Sequence, residues 1–134
     1  MKYTLLLDSN VVIEAINGDC PAFDRFGRAE FVYFSPIVLG ECRAGLRDSR
    51  KDRNRQQKLN ELISLPNAVC PPLTAATSVS YASIWQYLRD VGRPIPFSDI
   101  WIAAHTMELG ATLVTRDVHF DGIPGLRVLH AEEA

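Results

Sequence analysis

With 134 residues, a net charge of -2, 47% hydrophobic and 22% charged residues, the chain has the make-up of one globular domain, residues 1–134, with no linker or repeat dividing it. Such a mildly acidic protein is not an indiscriminate nucleic-acid coat, no apolar run reaches bilayer-spanning length, and Lys2 leads into a short strand rather than a leader, so a cytoplasmic protein with no membrane partner is expected. Cys20, Cys42 and Cys70 are odd in number and lack close pairing, which predicts free buried thiols rather than disulfides or zinc ligands.

The first apolar run, Tyr3-Thr4-Leu5-Leu6-Leu7, reads as a central strand covered on both faces, and it delivers Asp8 at its carboxyl end. Ser9 to Ile16 follows as a helix stopped by Gly18, with Ser9 and Asn10 in its first turn beside Asp8. A polar helix near Pro21 to Gly27 precedes a second strand, Phe31 to Phe34. Ser35-Pro36, a hydroxyl cap with proline at the first helical position, opens a helical segment reaching Leu65, with a break near Ser49 to Asp52. Glu41 stands in the first turns of that segment, after Pro36-Ile37-Val38-Leu39-Gly40. Ala68 to Cys70 is a short strand halted by Pro71-Pro72, which suits a sheet edge. Thr74 caps a helix that carries Val79, Ile84, Trp85 and Leu88 and ends before Gly92. Ser98 is the expected cap of the next helix, which Asp99 opens and Gly110 stops. Ala111 to Thr115 is a fourth strand closed by Arg116-Asp117, and Leu126 to Leu129 a fifth after the turn Ile123-Pro124-Gly125. This alternation predicts an α/β fold, a parallel sheet with helices on both faces.

Asp8, Glu41, Asp99 and Asp117 each fall where a strand ends or a helix begins. In an open parallel sheet such positions meet in one crevice outside the carboxyl ends of the strands. Taken singly, each has an ordinary explanation: a helix-start acid is usually a cap or dipole partner, and Asp117 suits a turn. Together they are costly, because two unit charges about 4 Å apart at an effective dielectric near 20 repel by roughly 4 kcal/mol. A bound cation or protonation relieves this, and an all-oxygen set with no histidine or cysteine at matching positions suits Mg2+ or Mn2+. The chemistry such an ion serves most directly is phosphoryl transfer, with metal-activated water as the attacking group.

Seven of the fourteen cationic residues lie between Arg43 and Lys58, namely Arg43, Arg47, Arg50, Lys51, Arg53, Arg55 and Lys58. This run is either a solvated helix face relieved by Asp48 and Asp52 or a phosphate-holding patch beside Glu41. Trp85 and Trp101 are expected in the core or at a subunit interface. His119, two residues beyond Asp117, is a candidate contact to phosphate or metal, although a surface position is the commoner role, and neither His105 nor His130 is assigned one.

Leu6-Leu7-Asp8-Ser9-Asn10, the Glu41 helix, Phe97-Ser98-Asp99-Ile100-Trp101-Ile102-Ala103-Ala104, and Leu113-Val114-Thr115-Arg116-Asp117 followed by Phe120 and Ile123-Pro124-Gly125-Leu126 together resemble the PIN-domain ribonucleases, above all the VapC toxins of bacterial type II toxin-antitoxin systems. The resemblance implies a three-layer fold with a five-stranded parallel sheet in the order 3-2-1-4-5 and a catalytic acidic pocket binding Mg2+ or Mn2+. It makes Asp8 and Asp99 principal metal ligands, Glu41 a ligand or orienter of water, and Asp117 a ligand for a second metal or through water. Ser9 and Thr115 match small hydroxyl positions that steer the acids. It further implies RNA as substrate, a homodimer, and a cognate VapB-like antitoxin. Trp101 and Arg116 depart from the family's commoner residues, and Arg116 is a candidate to pair with an acid or touch RNA.

A receiver-type signalling module, also doubly wound with an acidic pocket, is the alternative from another class. It requires adjacent acids after the first strand and a lysine after the last, whereas Ser9-Asn10 follow Asp8 and no lysine follows Lys58. An inactive PIN-like module that only binds RNA or protein would not need all four acids. No Walker loop, nucleophile elbow or His-Glu zinc helix is present.

Overall fold

A computed structural model describes residues 3–18, 23–46 and 50–133 and places β1 (Thr4–Leu7) at the centre of a five-stranded sheet ordered β3-β2-β1-β4-β5. The other strands are β2 (Phe31–Tyr33), β3 (Ala68–Val69), β4 (Thr112–Thr115) and β5 (Arg127–His130). Every pairing is parallel, with Leu6 opposite Tyr33 on one side and Leu113 on the other. Leu5, Leu6 and Leu7 are buried, as a strand covered on both faces requires. The strand order matches the expectation and differs from the 2-1-3-4-5 order of flavodoxin-like receivers.

Helices fill the connections: α1 (Ser9–Ile16), α2 (Phe23–Arg28), α3 (Pro36–Ala44), α4 (Arg50–Leu62), α5 (Ala75–Asp90) and α6 (Phe97–Glu108). The α1 helix packs against α3 and α4, α5 lies along α6, and α3 touches α6. None of the described helices is long and apolar enough to cross a membrane.

The helical segment expected to reach Leu65 ends at Leu62, and two further helix boundaries differ from the expectation. The helix α3 ends at Ala44, before the predicted break, because Gly45 closes it with its amide on the Glu41 carbonyl (3.2 Å) and Leu46 turns into the core. The Leu46 carbonyl, lost to the helix, instead accepts a bond from Gln56 Nε2 of α4 at 2.7 Å. The helix α6 begins at Phe97, capped by Pro96 rather than Ser98, since the Pro96 carbonyl takes the Asp99 and Ile100 amides at 3.0 and 3.2 Å. Its end agrees with the prediction: Gly110 adopts φ +64, a left-handed conformation in which a side chain is strained.

Cys42 is buried and free, Cys70 is free but exposed against the expectation, and Cys20 lies outside the described residues. Trp101 stacks on Tyr81 with ring centroids 4.2 Å apart, joining α6 to α5. Trp85 sits at the surface with the Arg89 guanidinium 5.2 Å from its ring centroid.

Candidate active site

The first strand and α1 position Asp8 between them. Its amide donates to the Val114 carbonyl (2.9 Å), so β1 and β4 stay joined up to the crevice where the strand order reverses. Asp8 then caps α1, its Oδ1 accepting from the Ser9 amide at 2.8 Å. Its Oδ2 accepts from the Thr115 hydroxyl at 2.7 Å and from Asn10 Nδ2 at 3.4 Å. Burial pushes the Asp8 carboxyl above its ordinary value; the Thr115 and Ser9 bonds work against that, and the negative charges of Asp99 and Glu41 add to it.

Glu41 comes from α3, oriented by the Ser35 cap and Pro36, and its Oε1 accepts from the Ser9 hydroxyl at 2.7 Å. Asp117 follows β4; its amide donates to Thr115 Oγ1 at 2.9 Å and its Oδ1 accepts from the His119 amide at 2.9 Å, starting a short 3-10 turn, Val118–Phe120. Asp99 sits in the first turn of α6. The His119 imidazole closes the arrangement, with Nδ1 3.3 Å from Asp99 Oδ2 and 3.1 Å from Asp117 Oδ2. Burial raises the Asp99 carboxyl, the bond to His119 lowers it, and the charges of Asp117 and Glu41 raise it further.

A continuous polar chain therefore links the acids: Glu41 to Ser9 to Asp8 to Thr115 to Asp117 to His119 to Asp99. Within it, ligand atoms of Asp99, Asp117 and His119 lie within 4.8 Å of one another, and this trio does not include Asp8 or Glu41. The acids nevertheless feel each other's charge, since both Asp99 and Glu41 act on Asp8 and both Asp117 and Glu41 act on Asp99. Carboxylate oxygens with one imidazole nitrogen are a donor set that fits a divalent ion.

The Cys42 thiol, next to Glu41 in sequence, is pushed up to about 11 by burial first and then by the Glu41 and Asp8 charges, so it is an inert thiol. His105 is fully buried with Nδ1 2.8 Å from the Ser35 hydroxyl, which ties the helix carrying Asp99 to the cap of the helix carrying Glu41. Burial lowers its pKa.

The cationic run is only partly engaged. Arg43 Nη2 donates to Asn60 Oδ1 of α4 at 3.1 Å, Arg55 pairs with Asp52 at 3.4 Å, and Arg53 and Lys58 are exposed. Arg50 and Lys51 lie in α4 with side chains outside the description, and Arg47 lies outside the described residues. Arg116, although next to Asp117, pairs with Glu14 of α1 and with Glu132 at 3.5 Å, so its guanidinium braces the chain's end against α1. Its amide donates to Asn10 Oδ1 at 3.3 Å. His119, from sequence a surface residue or a contact to phosphate or metal, is brought back onto Asp117 by the 3-10 turn Val118–Phe120.

The PIN domain family profile matches residues 5–126. Among curated proteins, "Ribonuclease VapC2" of Rickettsia felis is 29% identical over 126 residues, covering 90% of this chain and 92% of that protein. Among solved structures, the VapBC2 complex of Rickettsia felis bound to a promoter DNA fragment superimposes with a TM-score of 0.83 at 26% identity, covering 95% of this chain and 98% of that one. FitAcB of Neisseria gonorrhoeae gives a TM-score of 0.78 at 26% identity, covering 97% and 99%.

Proposed function

Because the chain belongs to the PIN domain family, matched over residues 5–126, we propose that it is a divalent-metal-dependent endoribonuclease and the toxin of a toxin–antitoxin pair. The observation that carries this reading is the polar chain joining Glu41, Asp8, Asp117 and Asp99 at the carboxyl end of the sheet, where ligands of open parallel sheets bind. The name of the Rickettsia felis relative, a ribonuclease, supports the substrate class, and the complexes in which VapC-like chains are seen with their partners support an antitoxin as the regulator. A homodimer completes the proposal.

Asp8, Asp99 and Asp117 would hold Mg2+ or Mn2+, and Glu41 would orient water or complete the ligand shell. Such an ion, when bound, would supply charge stabilisation on the phosphate oxygens and acidify the attacking water. The chain's own residues supply placement. Thr115 fixes Asp8 and, through the Asp117 amide, the backbone of a second acid. Ser9 fixes Asp8 through its amide and Glu41 through its hydroxyl. Arg53 and Lys58 offer exposed charge for the RNA backbone.

Purified protein with Mg2+ or Mn2+ is expected to cleave RNA, to stop in chelator, and to stop again in folded Asp8→Asn and Asp99→Asn. Undiminished cleavage in chelator rules out the metal mechanism. Growth arrest that persists in Asp99→Asn rules out the toxin assignment.

A further inference from the structure

We infer that His119 is a nitrogen ligand of the ion held by Asp99 and Asp117, so that this site binds Mn2+ in preference to Mg2+; the inference rests on the metal-site reading above. Three geometric facts carry it. His119 Nδ1 lies 3.1 Å from Asp117 Oδ2 and 3.3 Å from Asp99 Oδ2, and an octahedral ion with bonds of about 2.1 Å sets neighbouring donors about 3 Å apart. The same Asp117 that the imidazole approaches also fixes it from behind, because Asp117 Oδ1 takes the His119 amide at 2.9 Å and closes the 3-10 turn. The imidazole is therefore aimed at the acids by its own backbone, a placement that a solvent-facing histidine does not need.

The chemistry follows from the donor. Mg2+ holds to oxygen ligands and keeps its waters, whereas imidazole suits transition-metal ions, which rank above magnesium in affinity for nitrogen. A carboxylate-only pocket discriminates weakly between the two ions; one that adds a neutral imidazole separates them. The other histidines are engaged elsewhere: His105 is buried on Ser35, and His130 Nε2 lies 2.8 Å from Asp121 Oδ1. A nitrogen signal from a bound ion is thus attributable to His119.

The test uses the full chain with Mn2+ or Mg2+ alone and no RNA. Pulsed electron paramagnetic resonance of bound Mn2+ is expected to show nitrogen-14 coupling in the wild-type protein and none in His119→Ala or His119→Gln. Calorimetric titration is expected to give Mn2+ affinity lowered by at least about tenfold in both variants, with Mg2+ affinity changed by less than about twofold. Bound Mn2+ without nitrogen coupling in the wild-type protein, or equal Mn2+ affinity in the variants, overturns the inference and leaves the metal site standing. Wild-type protein that binds neither ion, or Asp99→Asn that binds both as tightly, overturns the metal-site reading and the inference with it.

Discussion

On one side of the crevice Asp8 is 5% exposed and Thr115 is fully buried, whereas on the other the His119 side chain is 48% exposed. The inner side holds its acid with neutral donors: a backbone amide, a buried threonine hydroxyl and, at 3.4 Å, an asparagine amide. The outer side holds Asp99 and Asp117 with a half-exposed imidazole whose backbone is tied to Asp117. The difference teaches that the two sides meet the same cost, gathered negative charge, by different means. Fixed neutral donors offset part of the burial of Asp8, and the bond to His119 offsets part of the burial of Asp99.

The sharpest way to break this comparison is to remove one acid from each side. Asp8→Asn and Asp99→Asn are each expected to lower RNA cleavage on the order of a thousandfold, the scale of losing a group that stabilises transition-state charge. Asn also caps helices well, so Asp8→Asn keeps α1. A gel-based cleavage assay showing near-normal rates in either variant removes that side from the chemistry.

Thr115→Val comes next. Asp8 loses its shortest donor and the Asp117 amide loses its acceptor, so activity is expected to fall roughly 10–100-fold, with stability lower by about 1–3 kcal/mol. Steady-state cleavage and urea unfolding measure the two effects. Ser9→Ala should cost less, about tenfold or under, because Glu41 is exposed and water replaces the lost hydroxyl. An effect of Ser9→Ala larger than that of Thr115→Val would mean that the Glu41 contact outweighs the two bonds of Thr115.

The acidity of the two carboxyls gives a smaller, continuous effect. Burial raises Asp8 and Asp99 in the folded state, so without metal the fold takes up protons more readily than the unfolded chain. That stabilising contribution is complete below the unfolded carboxylate pKa and is lost as pH rises through the raised folded values. In chelator, lowering the pH from neutral toward those values should therefore raise the contribution of this pair to the melting temperature, and the pH dependence should flatten in Asp8→Asn. Metal affinity runs the other way and weakens on acidification, because protons compete for the same oxygens. Melting curves and calorimetry across pH check both signs.

Reversing the exposed charges is expected to be smallest per residue. Arg53→Glu and Lys58→Glu should weaken RNA binding at low salt and reduce the salt slope by about one per lost phosphate contact, without altering metal affinity. An unchanged salt slope assigns the cationic face to solvation.

Much of the inner side is legible in the chain itself. Three leucines ending in Asp8 announce a buried strand that delivers an acid, and Thr115-Arg116-Asp117 does the same beside it. Ser35-Pro36 fixes where α3 begins and so where Glu41 stands. The outer side is less legible because it depends on turn geometry. Ser98 is the cap that the sequence favours, and only the three-dimensional path of the loop selects the Pro96 carbonyl instead. Likewise His119 reads as a surface residue until the 3-10 turn folds it onto Asp117 and Asp99. For Arg116 the sequence offers an acid as partner but not which one, because Glu14 and Glu132 are distant in sequence and meet it only across the folded chain.

The most direct measurement is a crystal structure of the wild-type protein soaked in Mn2+, with anomalous scattering locating the ion. A peak is expected in the crevice, bonded to carboxylate oxygens of Asp8, Asp99 and Asp117 and to the His119 imidazole. Mn2+ absent from the crevice at saturating concentration, or bound only at surface carboxylates elsewhere, would contradict it.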